Sequence, residues 1–75
     1  MEPSSVWVAH VDTFYRVVGV GVTQAEAIKV ASARAWEFLR DRDCLTDETA
    51  TPAKVAEFFG VSAVRVGVGE AVLYA

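Results

Sequence analysis

The first third of the chain is a nearly continuous run of apolar residues from Val6 to Val22. It is rich in valine and aromatic residues, and a short polar stretch that begins at Asp12 interrupts it. This pattern is typical of two strands joined by a tight turn. We predict a β-hairpin over residues 6–22 with a three-residue loop that ends at Phe14. A two-residue loop, which would shift the strand pairing by one residue, is the alternative.

The pattern changes to a helical period after this hairpin. Thr23-Gln24-Ala25-Glu26 is a capping box, in which the Thr23 hydroxyl accepts from the amide of Glu26 and the Glu26 side chain reaches back to the amide of Thr23. We predict a long helix over residues 23–42 whose alanine-rich side lets it lie close against a sheet. The residues predicted on that side are Ala25, Ile28, Ala31, Ser32, Ala35, Trp36 and Leu39.

A segment without hydrophobic periodicity follows the long helix. Residues 41–50 contain four acidic side chains and one basic side chain, so we predict an exposed acidic connector over residues 43–51. Thr51-Pro52 then supplies an N-cap followed by a proline at the first helical position. Because Gly60 is a typical C-terminal stop, a short helix over residues 52–59 is expected.

The C-terminal segment alternates again, with valines at positions 64, 66 and 68. Gly69-Glu70 fits a two-residue type II′ turn, so we predict a second β-hairpin over residues 62–75. The element order is then ββααββ in a single α+β domain, residues 1–75. We expect a four-stranded, mainly antiparallel sheet with the long helix packed on one face and a short second helix.

The sheet is expected to keep one apolar face uncovered, because one long and one short helix cover one face of four strands but not two. With a three-residue loop, the odd-numbered positions lie on that face, unless the short helix folds across it. Large exposed apolar patches mark interfaces, and Tyr and Trp are enriched at binding hot spots. We predict that this face binds a partner protein or forms a homodimer. Its residues are Trp7, Val11, Tyr15, Val17, Val72 and Tyr74.

The charge of the chain is concentrated rather than spread. The 75 residues carry 7 basic and 10 acidic side chains, a net charge of -3, and much of the excess lies in or beside the acidic connector. Such a run is either a solvated loop or a contact surface for a basic partner, whose association it would accelerate. The predicted acidic surface consists of Glu37, Asp41, Asp43, Asp47 and Glu48.

The same counts bear on location and stability. No apolar run approaches the roughly 20 residues that span a bilayer, and the N-terminus has no basic region followed by a long apolar stretch. We therefore expect no membrane partner and a cytoplasmic location. A single cysteine cannot form an internal disulfide, so stability must come from packing or from association.

Residues that could carry chemistry are few. His10 and Cys44 are single copies, whereas a metal site needs three or four converging ligands and a nucleophilic site needs a base. Gly19-Val20-Gly21 precedes a helix but lacks the further glycines or the Gly-Lys-Ser/Thr ending of a phosphate loop. Glycines inside a strand instead mark a bend or the close approach of another backbone. We predict a non-enzymatic protein without a cofactor or metal; a small enzyme would require a role for His10.

One short motif points to DNA. Val55-Ala56-Glu57 followed by Gly60-Val61-Ser62 and a later valine resembles the helix-turn-helix core of lactose-repressor-type DNA-binding domains. The resemblance implies a transcriptional regulator that uses residues 52–66 and places a recognition helix after the glycine. The residues that follow include two glycines among valines, which are poor helix formers. Arg65 is the one cation there, whereas DNA affinity depends on several. We therefore keep this function as an alternative and do not expect direct nucleic-acid binding.

In size, negative charge and α+β class, the chain resembles the small phage-encoded inhibitors of bacterial immunity known as anti-CRISPR proteins. That resemblance implies an inhibitor that binds a basic, nucleic-acid-handling host complex and acts by steric and electrostatic occlusion. It would work in the cytoplasm of a bacterial host, with the acidic connector or the aromatic sheet face as its contact. A structural subunit of a larger assembly is a further alternative.

Overall fold

The computed structural model describes residues 5–67 and residue 69, and these form three strands and two α-helices. The strand β1 is central and pairs antiparallel with β2 on one side and with β3 on the other. The α+β class is therefore confirmed. The predicted fourth strand, and with it the full ββααββ order, lies outside the described residues. The elements are β1 (Ser5–Asp12), β2 (Arg16–Gly21), α1 (Gln24–Asp41), a 3-10 helix (Asp47–Thr49), α2 (Pro52–Phe59) and β3 (Ser62–Gly67).

The loop between β1 and β2 contains Thr13, Phe14 and Tyr15, so it starts one residue later than predicted. Asp12 is the last residue of β1 and pairs with Arg16, whose Nε donates to Asp12 Oδ1 at 2.9 Å. The backbone amide and the hydroxyl of Thr13 both donate to the carbonyl of Tyr15 at 3.0 Å. Because the loop still has three residues, the odd-numbered residues of both strands share one face of the hairpin and the even-numbered residues share the other, as predicted.

Both helices begin at the predicted caps. Thr23 Oγ1 accepts from the amide of Glu26 at 3.1 Å, and Glu26 Oε1 accepts from the amide of Val22 at 2.9 Å, one residue earlier than a standard capping box. Thr51 Oγ1 accepts from the amide of Lys54 at 3.2 Å at the start of α2. Within the described part of the chain, neither helix is long and apolar enough to cross a bilayer.

α1 approaches the sheet most closely at two glycines of β2. A Cβ atom added to Gly19 would lie 2.8 Å from the carbonyl oxygen of Ala27 and 2.9 Å from the Cα of Ala31. A Cβ atom on Gly21 would lie 2.6 Å from the amide nitrogen of Ala27. The prediction that these glycines mark the close approach of another backbone is confirmed.

The core fills the layer between α1 and the sheet, with α2 closing one side. Most of its fully buried residues are alanines, and α1 presents them one turn apart. Larger residues at the edge of this layer, among them Ile28, Trp36 and Phe59, are partly buried against it. The buried hydrophobic residues are Ala9, Val11, Ala27, Ala31, Ala35, Leu39 and Val55.

The face of the sheet that α1 covers is the one predicted to be uncovered. Val11 is completely buried, and Trp7 and Val17 are partly buried against the core. The predicted placement of these three strand residues is therefore wrong. The physical reason is that Gly19 and Gly21 are also odd-numbered, and only the face with the glycines lets a helix backbone approach so closely.

This contact predicts a steep dependence of stability on side-chain size at residue 19. Gly19→Ala is expected to lower the free energy of unfolding by about 2–3 kcal/mol, because its Cβ meets rigid helix backbone rather than a flexible side chain. Urea denaturation followed by circular dichroism measures the difference. Val20→Ala, at an exposed neighbour in the same strand, is the control and should cost less than about 1 kcal/mol. Equal losses in the two variants would contradict the close contact.

Candidate interaction surfaces

The uncovered face of the sheet is built from even-numbered positions. In the central strand, Val8 lies between Val20 of β2 and Val64 of β3. The next pair along β1 and β3 joins Val6 to Val66. We call this surface the valine face; it comprises Val6, Val8, Val18, Val20, Val64 and Val66, with the polar residues His10 and Ser62 at one end.

The valine face is accessible, although valine is among the most frequently buried residue types. Val18 and Val20 are 52% and 55% exposed, and the other four valines are partly exposed. Strand spacing and rise give it an area of roughly 250–300 Å². Within residues 5–67, the charged residues on this side of the sheet lie at its loop end, where Asp12 and Arg16 form an ion pair. The surface is thus apolar and stiff, because β-branched side chains have little rotamer freedom.

One residue of the predicted sheet face does remain at the surface. Tyr15 is 64% exposed in the β1–β2 loop, and its ring contacts the edge of Phe38 of α1 with 5.8 Å between centroids. The guanidinium of Arg42 lies 4.7 Å from the Phe38 ring. Tyr15 therefore belongs to an aromatic corner at the end of α1 rather than to the sheet. Two other predicted residues, Val72 and Tyr74, lie outside the described residues.

The predicted acidic surface is divided in the structure. Glu37 Oε2 lies 3.7 Å from Arg34 Nη1, and Asp41 Oδ1 lies 3.3 Å from Arg40 Nη2. Both pairs are exposed, so each contributes little to stability. They nevertheless reduce the negative charge that these two carboxylates present to a partner.

Asp43 has a structural role at the end of α1. The amides of Asp43 and Cys44 donate to the carbonyls of Arg40 and Leu39 at 3.0 and 2.8 Å, which is the hydrogen-bond pattern of a Schellman motif. This motif requires a left-handed residue, and Asp43 has φ 56°. Glycine is the usual residue there, and an acid is also unfavourable beside the negative end of the helix dipole. The sequence did not indicate this role.

The remaining two predicted acids, Asp47 and Glu48, lie in the 3-10 helix. They line an open groove together with Lys54, Glu57 and Phe58 of α2. Lys54 Nζ donates to the carbonyl of Asp47 at 3.3 Å. Glu57 is a residue that the sequence reasoning missed, because it belongs to the next element. Its spacing of three from Lys54 places both on one side of α2, but nothing in the sequence indicated that this side meets the 3-10 helix.

The acidic connector is held in place by side-chain hydrogen bonds. Trp36 Nε1 of α1 donates to the carbonyl of Ala50 at 3.1 Å. The amide of Thr46 donates to Thr49 Oγ1 at 2.9 Å, and Thr49 is only 3% exposed. These contacts fix the groove beside α2 and tie it to the middle of α1.

The residues considered for chemistry and for DNA binding are separated. His10 Nε2 lies 3.9 Å from Asp12 Oδ2, while Cys44 is half-buried and its thiol donates to the carbonyl of Arg42 at 3.3 Å. No group of three or more His, Cys, Asp or Glu residues in the described ranges could hold a metal ion. Residues 62–67 form β3, so the position of the expected recognition helix is occupied by a strand. The prediction that α2 leads into a strand is confirmed.

The geometry at Asp43 predicts a stabilising substitution. Asp43→Gly is expected to raise the free energy of unfolding by about 0.5–1 kcal/mol, since glycine adopts the left-handed conformation without a Cβ clash and the change removes a negative charge from the helix C-terminus. Urea denaturation at neutral pH measures the gain. Asp41→Asn, which removes the same charge without the conformational benefit, should gain less. An unchanged or lower stability of Asp43→Gly would contradict the assignment.

The chain and its fold can also be compared with known proteins. No protein family, characterised protein or solved structure matches the chain. The resemblance to small phage-encoded inhibitors therefore stays a prediction, and the surfaces described above carry the functional inference.

Proposed function

We propose that this chain is a non-enzymatic protein-binding module whose main contact surface is the valine face. The observation that carries the proposal is the exposure of Val18 and Val20, each more than half accessible, within an uncharged apolar sheet face. Apolar patches of about 300–600 Å² on a monomer are often functional, and the valine face approaches this range.

The chemistry of the valine face specifies the kind of partner. It offers a flat apolar area, and among the described residues its charges are the mutually paired Asp12 and Arg16 at the loop end. Its complement is therefore a flat apolar surface, such as a sheet face or the apolar side of a helix, on another protein. Burial at about 25 cal/mol per Å² gives roughly 6–8 kcal/mol, which is comparable to the entropic cost of association. A stable complex thus needs contacts beyond one valine face.

The groove between the 3-10 helix and α2 favours a second contact with a basic partner. Asp47, Glu48 and Glu57 line it against a single lysine, Lys54, which also donates to the backbone. Exposed acids of this kind raise the rate of association with a positively charged surface. Together with the valine face, the groove supports occlusion of a basic, nucleic-acid-handling protein as the specific form of the binding function.

The double variant Val18→Thr/Val20→Thr tests the valine face. Thr keeps the β-branched shape, and both positions are exposed, so the melting temperature should fall by no more than about 2–4 °C. Proteins captured from a bacterial lysate by the wild-type chain should be lost from this variant. The matched variant Asp47→Asn/Glu48→Gln should retain the same proteins, captured more slowly.

Two results would contradict the proposal. A fall in melting temperature far beyond that range would show that the two valines are covered in the isolated chain. Capture of the same proteins with unchanged affinity by Val18→Thr/Val20→Thr would remove the valine face from the interface.

A further inference from the structure

The outer edge of β2 has no pairing partner within residues 5–67. Native proteins protect an edge strand with lysine, proline, an inward-pointing charge or a bulge. The sequence of β2, Arg16-Val17-Val18-Gly19-Val20-Gly21, contains no lysine and no proline. Its register with β1 runs without a bulge from Trp7–Gly21 to Asp12–Arg16. Among the described strands, β2 is therefore an edge whose residues 17–21 are able to pair with another strand.

The flank of α1 that faces away from α2 lies beside this edge. On the opposite flank, Ile28 and Ser32 line a groove with Pro52 and Ala53 of α2. The flank toward the free edge carries residues four apart, which lie in one row along a helix. Its position beside β2 is fixed by the close approach of Glu26 Cβ, 2.8 Å from where a Cβ on the strand's last glycine would lie. The row consists of Glu26, Val30 and Arg34.

This row is complementary to itself. It reads acid, apolar, base, with Val30 in the centre and 44% exposed. A twofold axis beside Val30 sets the row antiparallel to its own copy, so that Val30 meets Val30 and Glu26 lies opposite Arg34 of the second copy. Arg34 can exchange its ion pair with Glu37 for this contact, because its side chain is 57% exposed and the pair is a long 3.7 Å.

The same twofold axis also allows β2, which lies beneath α1, to pair with β2 of the second copy. Gly19 lies under Ala27 and Ala31, so a twofold axis beside Val30 passes close to Gly19. That rotation sets β2 antiparallel to β2 of the second copy, with Val18 of each copy beside Val20 of the other. Even-numbered residues then stay on one face, as strand pairing requires.

We propose that two copies of this chain dimerise through the outer edges of β2, forming a continuous six-stranded sheet with the two α1 helices side by side. This inference rests on the proposed function, because the sheet joins two valine faces into one surface of roughly 500–600 Å². A standard interface buries about 800 Å² on each partner, so the joined surface supplies most of the area that a single chain lacks.

Cysteine cross-linking tests the position of the axis. The chain has one cysteine, so Cys44→Ala provides a background without thiols. In that background, Val30→Cys should be joined into a covalent dimer by a short bismaleimide at protein concentrations where the chain is dimeric. Lys29→Cys, on the adjacent side of α1, is the control and should stay monomeric. Equal cross-linking of the two variants, or none in either, would overturn the proposed axis.

Charge reversal tests the contact energetically. Arg34→Glu places like charges opposite Glu26 of the second copy, so the dimer dissociation constant in sedimentation velocity should rise at least about tenfold. Arg40→Glu makes the same charge change elsewhere on α1 and should leave the dissociation constant within about twofold of the wild type. A wild-type chain that remains monomeric at every concentration would overturn the dimer.

The two proposals fail separately. A monomeric wild type whose captured proteins are lost in Val18→Thr/Val20→Thr removes the dimer and keeps the valine face. A dimer whose Val18→Thr/Val20→Thr variant still captures the same proteins removes the valine face and keeps the dimer.

Discussion

The contact between the backbone of α1 and the glycines of β2 determines most of this structure. Because Gly19 and Gly21 have no side chains, the helix can lie directly on the strand, and its own contact residues must then be alanines. This contact decides which face of the sheet is covered. It also sets α1 chiefly over β2, which places one flank of the helix beside the edge of β2 that has no pairing strand within residues 5–67.

As a consequence, the size of a side chain decides which face of the sheet it occupies as much as its polarity does. Alanines lie where α1 is closest to β2, while the valines of β2 that point away from the helix, Val18 and Val20, lie on the accessible side. Both sets are apolar, so the hydrophobic effect alone does not distinguish them. The short distance between the backbones of α1 and β2 distinguishes them, because only the smallest side chains fit between the two.

Features of the fold that depend on local chemistry were predictable from the sequence, and those that depend on tertiary contacts were not. The caps at Thr23 and Thr51 and the span of α2 follow from neighbouring residues, and the structure confirms them. The parity of the hairpin was also right. The prediction of which sheet face α1 covers was wrong, because that choice depends on a contact between elements distant in sequence. Gly19 and Gly21 are both odd-numbered, however, and this shared parity already indicated the covered face. The backbone conformation of Asp43 and the proximity of Glu57 to the connector arise only from the folded chain.

The layer between α1 and β2 consists of alanines and glycines, and this composition limits how the interior can rearrange. Neither residue type has a side-chain torsion to reorganise, so the contact of Ala27 and Ala31 with Gly19 and Gly21 has no alternative rotamers to adopt. We expect this close packing to hold β2 and α1 in a fixed relative position. Side chains with several rotatable torsions lie instead at the ends of this layer, in the loop around Tyr15 and where Trp36 donates to the carbonyl of Ala50.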